Sequence, residues 1–311
     1  MIFYLASKQK KQAVFKSFLI IENVSCYLGN GSKQRIGKEK EQEKQKENGE
    51  HEKMKRVKLI VSYDGTNYCG WQIQPNGVTI EEMLNRHLSD LLQEPIKVIG
   101  ASRTDSGVHA LGNVAVFDTN ARMPAEKISY AMNTRLPADI RIIDSEEVAP
   151  DFHPRKCHTV KTYEYCIYNR RFPDPTKRLY SYFTYYKLDI EAMRKAASYL
   201  VGTHDFKSLS TWKEEVPDTV RTIYSIDITK EEHLIRIRIR GNGFLYNMVR
   251  IIAGTLMQAG RGIIQPQDME KILEAKDRNA GGPTARPEGL TLVSIEYPDE
   301  KQQETLSFQE K

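Results

Sequence analysis

Between Val57 and Val148, apolar and polar residues follow strand spacing and helix spacing in turn. Alternation over Val57–Tyr63 predicts a strand. Thr79 and Glu82 form a capping box that begins a helix reaching about Gln93, where Pro95 stops it. The pattern then predicts strands at Ile96–Ile99, Asn113–Asp118 and Ile140–Val148, and a helix from Pro124 to Leu136. The order β-α-β-β-α-β is that of a split βαβ unit.

A second set of elements follows an irregular stretch. Strands are predicted at Thr159–Tyr168, Val220–Thr229, His233–Arg240 and Thr291–Tyr297, and helices at Asp189–Leu200, at Phe244–Ala259 and after Pro266. We therefore expect an α+β fold of two related split-βαβ (ferredoxin-like) halves, with a mostly antiparallel sheet and a central cleft. The expected lobes are residues 54–150 and 151–298.

The two ends of the chain differ in composition from these lobes. Residues 38–53 are almost all Lys, Glu, Gln and Asn, and such a segment buries too little apolar surface to offset the entropy of ordering. We interpret residues 1–53 as disordered, or as an upstream extension wrongly assigned to a chain that begins at Met54. A basic arm that helps to hold RNA is the alternative. Residues 299–311 are expected to form a flexible tail.

Composition narrows the functional class only slightly. The 311 residues are 40% hydrophobic and 28% charged, with a net charge of +5, which is typical of a soluble globular protein and compatible with a nucleic-acid partner. The four cysteines form no Cys-x-x-Cys pair, so we expect reduced thiols in a cytoplasmic protein. The sequence has no zinc motif, P-loop, complete dinucleotide motif or membrane span. We therefore expect no metal, no cofactor and no membrane association.

The segment Gly100–Ala110 carries the strongest candidate chemistry. A turn between two strands requires the Asp and Gly that it contains, but it does not require Arg103 or His109 as well. We interpret Asp105 as a catalytic carboxylate at the end of a strand, and a simple Asx-type turn is the alternative. Arg250 lies in an apolar helical stretch, where a buried guanidinium needs a carboxylate partner. Asp105 is the candidate partner, and Arg250 would keep it ionised by lowering its pKa from about 3.9. A snorkelling arginine is the alternative.

Other candidates are aromatic or basic. Tyr163 and Tyr165 share one face of a predicted strand, where they either pack in the core or offer a flipped base a flat surface. Three arginines alternate with isoleucines on another strand and form either a phosphate-binding stripe or a solvated face. They are Arg236, Arg238 and Arg240, and Arg155 belongs to a second basic region.

Arg103–Ala110 resembles the signature of the TruA family of tRNA pseudouridine synthases. Further segments resemble that family in the same order, from about Met54 to Pro298: Val61–Thr66, Phe152–Arg155, Lys161–Tyr165, Gly202–Phe206, Gly241–Arg250 and Gly289–Val293. The chain departs from the family pattern at Ser102, where Gly is more usual, and at residues 207–215.

This resemblance implies a two-lobed homodimer that isomerises uridine to pseudouridine at positions 38, 39 and 40 of the tRNA anticodon stem-loop. It implies that Asp105 is the nucleophile, that Tyr163 stacks on the target base and that Arg250 pairs with Asp105. It also implies that Arg103 enters the RNA stem in place of the displaced base. No cofactor is implied.

Two other functions remain open from the residues alone. A non-catalytic RNA-binding module of the RNA-recognition-motif type has the same element order, but it requires aromatic platforms on its central strands. The strand at Asn113–Asp118 offers only Phe117. A nucleoside glycosidase would require a second acid near Asp105, and the motif segments supply none that is obvious.

Overall fold

The computed structural model describes residues 54–212 and 218–299. The predicted extension at 1–53 and the predicted tail beyond residue 299 lie outside this part of the chain. The described residues confirm an α+β fold, in which one large mixed sheet carries five helices. The strands are β1 Lys55–Tyr63, β2 Ile99–Gly100, β3 His109–Thr119, β4 Ile140–Val148, β5 Val160–Asn169, β6 Tyr182–Thr184, β7 Gly202–Asp205, β8 Val220–Glu231, β9 Leu234–Gly241 and β10 Leu290–Glu296. The helices are α1 Ile80–Leu92, α2 Ala125–Asn133, α3 Ile190–Ser198, α4 Met248–Gly260 and α5 Asp268–Ala275.

The order of strands across the sheet is β4-β1-β3-β10-β5-β9-β8-β7, with β2 paired to β3 and β6 paired to β5. Most neighbouring strands are antiparallel. The exceptions are β10 against β3 and β6 against β5, which are parallel. The last of the described strands, β10, therefore lies in the middle of the sheet, between the strand that follows the Asp105 segment and the strand that carries Tyr163.

Strand periodicity decides which face of the sheet is buried. Val57, Leu59 and Val61 of β1 are fully buried and alternate with half-buried residues. Strand β9 follows the same rule, because Ile235, Ile237 and Ile239 are fully buried while the three arginines between them face the other side. The helices supply the apolar faces that cover this side of the sheet, and α4 is buried along almost its whole length.

The helix starts that depend on local capping match the sequence predictions. The Thr79 hydroxyl accepts a hydrogen bond from the Glu82 amide, and the Asp189 carboxylate accepts from the first turn of α3. Helix α4 begins at Met248 and not at the predicted Phe244, because Asn247 has a left-handed φ of 61° that a helix interior cannot contain.

Some strand predictions were less accurate. The strand predicted at Ile96–Ile99 pairs only at Ile99 and Gly100, and β6 and β7 were not predicted at all. None of the described helices is long and apolar enough to cross a membrane.

Candidate active site

The Asp105 segment is a tight turn between β2 and β3. The Val108 amide donates to the Asp105 carbonyl at 3.1 Å, and Gly107 takes the φ of +77° that favours glycine at the third turn position. The Trp71 amide donates to the Thr104 carbonyl at 3.0 Å and holds the turn from behind. The main chain thus makes the expected turn, while the Asp105 carboxylate remains available to α4.

Arg250, in the first turn of α4, meets that carboxylate. Its Nη1 donates to Asp105 Oδ2 at 2.9 Å and to Asn247 Oδ1 at 3.0 Å, and its Nε donates to the Ala285 carbonyl at 2.7 Å. The side chains of Arg250 and Asp105 are 15% and 18% exposed. The predicted pair is therefore present, and additional acceptors satisfy the guanidinium, as a largely buried charge requires. The remaining exposure of Asp105 leaves it open to a reacting group.

Tyr163 occupies the point where β5 lies between β9 and β10. It pairs with Ile239 on one side and Leu292 on the other. Its hydroxyl forms a 2.7 Å hydrogen bond with the Ser102 hydroxyl, and its ring packs edge-on against Phe244. Burial raises the pKa of Tyr163 to about 12, and the negative charge of Asp105 contributes to the rise. Tyr163 is therefore protonated at neutral pH and lies within electrostatic range of the Asp105 carboxylate.

Tyr165 has a different environment from Tyr163. It is fully buried, and its hydroxyl donates to the Arg286 carbonyl at 2.9 Å. These contacts make it a packing residue that ties β5 to the segment before β10.

A set of buried polar side chains supports the turn. Asn113 Nδ2 donates to the Ser102 carbonyl at 3.0 Å and to the Tyr63 hydroxyl at 3.3 Å. The Tyr63 hydroxyl also lies 2.8 Å from Thr104 Oγ1. Lys161, on β5, donates from Nζ to the Ala101 carbonyl at 3.0 Å.

Sequence reasoning missed these supporting residues. The sequence signals are weak: Ser102 departs from the family pattern without indicating a role, and Lys161 begins one of the family-like segments. The partners of the others come from strands distant in sequence, so spacing along the chain could not reveal them.

His109 begins β3 and has a structural environment. The Gly65 amide donates to its Nδ1 at 3.1 Å, and Asp64 Oδ1 also lies 3.1 Å from Nδ1. Its Nε2 forms a 2.8 Å hydrogen bond with the Leu179 carbonyl. His109 therefore fixes the start of the strand that leaves the Asp105 turn.

Arg103 and Arg155 lie together, although sequence reasoning considered them separately. With Lys97 and the exposed Ile73, they line an open depression of about 530 Å³ beside Trp71. Arg103 is exposed, so its guanidinium is accessible to a polyanion.

The arginine stripe of β9 lies elsewhere. Arg236, Arg238 and Arg240 contact Glu231, Glu164 and Glu296 at 2.7, 2.9 and 3.2 Å. Directly opposed residues share a face, and Tyr163 opposes a buried isoleucine whereas Glu164 opposes Arg238. The stripe is thus on the opposite face of the sheet from Tyr163, and a phosphate would have to displace a carboxylate from each arginine.

No metal is indicated at this site. Within residues 54–212 and 218–299, no group of three or more His, Cys, Asp or Glu side chains is arranged to hold an ion.

Comparison with known proteins adds a family to this geometry. The family described as tRNA pseudouridine synthase matches residues 59–155 and 196–298, which contain both Asp105 and Arg250. The tRNA pseudouridine synthase A of Thermoanaerobacter sp. (strain X514) is 49% identical over 244 residues, which are 78% of this chain and 100% of the relative. The proteins of the same name from Acetivibrio thermocellus and Bacillus subtilis (strain 168) are 47% and 46% identical over 244 residues. These matches cover 78% of this chain in each case and 100% and 99% of the relatives.

Proposed function

This chain belongs to the tRNA pseudouridine synthase family, an isomerase family that acts on tRNA, and on that premise we propose that Asp105 is its nucleophile. The proposed reaction converts uridine to pseudouridine at positions 38, 39 and 40 of the anticodon stem-loop. The observation that carries the proposal is the 2.9 Å contact between Arg250 Nη1 and Asp105 Oδ2. It holds one carboxylate oxygen in a fixed direction while the residue stays partly exposed, which is the arrangement that a covalent nucleophile requires. Nothing in the comparisons favours an RNA-recognition-motif module.

The reaction depends mainly on how the substrate is positioned against Asp105, because an isomerisation needs no redox step and no group donor. The bond between N1 of uracil and C1′ of ribose breaks, the base turns, and C5 joins C1′. C5 loses its proton and N1 gains one, so the product is an isomer of the substrate. Asp105 forms a bond to either the base or the sugar during this exchange, and that bond breaks before the product leaves, so no redox partner is needed. Arg250 holds Asp105 in orientation throughout.

Tyr163 contributes a flat ring surface and a hydroxyl that can donate a hydrogen bond. With a pKa raised to about 12, its hydroxyl is protonated at neutral pH and can donate a hydrogen bond. Its ring would lie against the uracil, and the Ser102 hydroxyl would fix its direction.

Arg103 and Arg155 would receive the RNA. An arginine can stack and donate several hydrogen bonds from one plane, so exposed Arg103 can take the place of the displaced base in the stem. Arg155, in the same depression, would contact the backbone. Any RNA contact made by the arginine stripe would lie on the face of the sheet opposite to Tyr163. Each of its members, Arg236, Arg238 and Arg240, already contacts a glutamate there.

The larger architecture proposed here is a pair of related split-βαβ halves, residues 54–150 and 151–298, with an RNA-binding cleft between them. Supporting it, the orders β4-β1-β3-β2 and β10-β5-β9-β8 are equivalent and antiparallel throughout. A homodimer and a cytoplasmic location are proposed on the family resemblance and on the nature of the substrate.

The test is Asp105→Asn, which preserves shape and removes the nucleophile. The variant should fold and bind tRNA with nearly unchanged affinity and should form no pseudouridine, as measured by mass-labelled mapping of the anticodon stem-loop. The matched control is Asp118→Asn, which breaks a bidentate pair with Arg56 elsewhere on β3 and should retain turnover. Pseudouridine formation by Asp105→Asn would remove Asp105 from this role.

A further inference from the structure

A second depression lies outside the Asp105 site and outside every motif of the proposed function. Its volume is about 340 Å³, and it forms where the turn after β7 meets the segment after α5. The lining residues are Lys207, Thr211, Trp212, Lys276, Asp277 and Arg278.

The lining combines cations with an exposed aromatic ring. Three side chains are cationic and one is a carboxylate, and Trp212 is 39% exposed. Lys207 Nζ lies 4.4 Å from the centroid of the Trp212 ring. An aromatic face next to flexible cations is the combination with which proteins hold an unpaired nucleotide, because the base stacks while the phosphate is neutralised.

The two lysines are better suited to a phosphate than Arg278. Arg278 already donates to the Gly281 carbonyl at 3.3 Å and to Thr284 Oγ1 at 3.2 Å. The Lys276 side chain is 60% exposed and reaches Asp205 at 3.2 Å, an exposed contact that an incoming phosphate can replace at little cost.

Hydrogen bonds connect the lining of this depression to the catalytic pair. Thr211 Oγ1 accepts from Asn247 Nδ2 at 3.1 Å, and Asn247 Oδ1 accepts from Arg250 at 3.0 Å. Arg250 in turn holds Asp105. Three hydrogen bonds therefore separate a residue of the lining from the carboxylate, which places the depression near the Asp105 site.

We propose that this depression binds an unpaired nucleotide of the tRNA, with its base against the Trp212 indole and its phosphate against Lys207 and Lys276. The inference rests on the proposed function, because the nucleotide belongs to the same tRNA whose uridine reaches Asp105.

The chain offers a direct optical test. It contains two tryptophans, and Trp71 is 2% exposed while Trp212 is 39% exposed. Titration of the full chain with an anticodon stem-loop RNA should quench the emission of Trp212, and a blunt RNA duplex without unpaired bases should not. In Trp212→Phe most of the emission change should disappear, and any change that remains reports on Trp71, which lines the depression of Arg103 and Arg155.

Affinity and kinetics test the same contact independently. Trp212→Ala should weaken RNA binding by about 5- to 150-fold, the range that corresponds to one stacked base. The loss should appear in KM, with kcat retained, and Trp212→Phe should restore most of the affinity. Lys207→Gln should reduce the salt slope of binding by about 1. Lys271→Gln is the control, because this exposed lysine on α5 pairs with Asp268 and lies outside the lining, so its substitution should leave binding unchanged.

Three results would overturn the subsite: no quenching at saturating RNA, unchanged affinity in Trp212→Ala, or a loss confined to kcat. The last would assign Trp212 to the support of Asn247 and Arg250. Pseudouridine formation by the unaltered chain, measured on the same samples, reports on the proposed function separately.

Discussion

At the scale of single residues, hydrogen bonds fix the orientation of the polar side chains in the site. Arg250 has three acceptors, from Asp105, Asn247 and the Ala285 carbonyl. Tyr163 has the Ser102 hydroxyl. Removing one member of such a buried set costs more than the bond itself, because the remaining partner loses solvation as well.

Ser102→Ala tests this for Tyr163. The Tyr163 hydroxyl would lose its buried partner, so we expect a loss of about 1–3 kcal/mol in the free energy of unfolding and slower turnover. Tyr163→Phe should bind tRNA but react slowly. The double variant should be less impaired than the sum of the two, because both substitutions remove one bond. Denaturant unfolding and single-turnover rates would measure the cycle.

The control for that cycle is Ser145→Ala. Ser145 is also buried, and its hydroxyl donates to the Ala125 carbonyl away from the turn. It should lower stability while kcat remains unchanged. Strict additivity of the Ser102 and Tyr163 substitutions would show that the bond does not position the tyrosine.

Lys161 provides a pH-dependent prediction. Burial, with a smaller contribution from the charges of Arg155 and Arg221, lowers the pKa of its ammonium group to about 8. A base whose pKa is lower in the folded state binds fewer protons there than in the unfolded chain, so its contribution to stability improves as pH rises through about 8. Lys161→Met should therefore gain most in stability relative to the parent chain near pH 7, and this advantage should shrink by pH 9.5. Chemical denaturation at both pH values would measure the difference, and an advantage that grows with pH would contradict the assignment.

At the scale of elements, the position of α4 determines where Arg250 lies. The helix packs against the segment before β10, where the Ala285 amide donates to the Arg250 carbonyl at 3.1 Å and the Ala285 carbonyl receives Arg250 Nε. Gly254 permits this approach. A Cβ at that position would lie far inside contact distance of the Pro283 carbonyl oxygen, and backbone cannot move aside as a side chain can.

Gly254→Ala should therefore push α4 away from this segment. We expect a loss of about 1–3 kcal/mol in stability, as for other overpacked cores, and a fall in turnover because Arg250 is displaced from Asp105. Gly243→Ala is the matched control, since its Cβ would meet only the Arg221 side chain at 3.6 Å. Thermal unfolding and pseudouridine assays of both variants would separate a specific contact from the general effect of replacing a glycine.

Elements that depend on local chemistry were predictable from the sequence, and those that depend on distant pairing were not. The caps at Thr79 and Asp189 act within one helical turn, so the sequence located the starts of α1 and α3. Strand β7, at Gly202–Asp205, exists because β8 offers it an edge. The Asp105–Arg250 pair was predictable because an arginine in an apolar helix requires a carboxylate. Asn247 and Ser102 gave no comparable signal, because a small neutral polar side chain, unlike a buried guanidinium, does not require a partner of one particular kind.

At the scale of the whole molecule, β10 connects the two parts of the sheet that carry the site, because it lies between β3 and β5. It pairs with β3 through Thr291 and Leu292, and with β5 along most of its length. Leu292 is opposite both Ala110, which follows the Asp105 turn, and Tyr163. One buried side chain near the end of the chain thus sets the lateral distance between the strands that carry the two halves of the site.

Leu292→Ala should consequently impair stability and catalysis together. The residue is completely buried, so its truncation should cost about 2–5 kcal/mol in the free energy of unfolding. The cavity would also loosen the register between Tyr163 and the Asp105 turn, and pseudouridine formation should fall even at temperatures where the protein remains folded. Val293→Ala, on the half-buried face of the same strand, should cost less and leave turnover intact. If Leu292→Ala lost stability but kept the parent kcat below its melting temperature, then β10 would hold the sheet together without aligning the site.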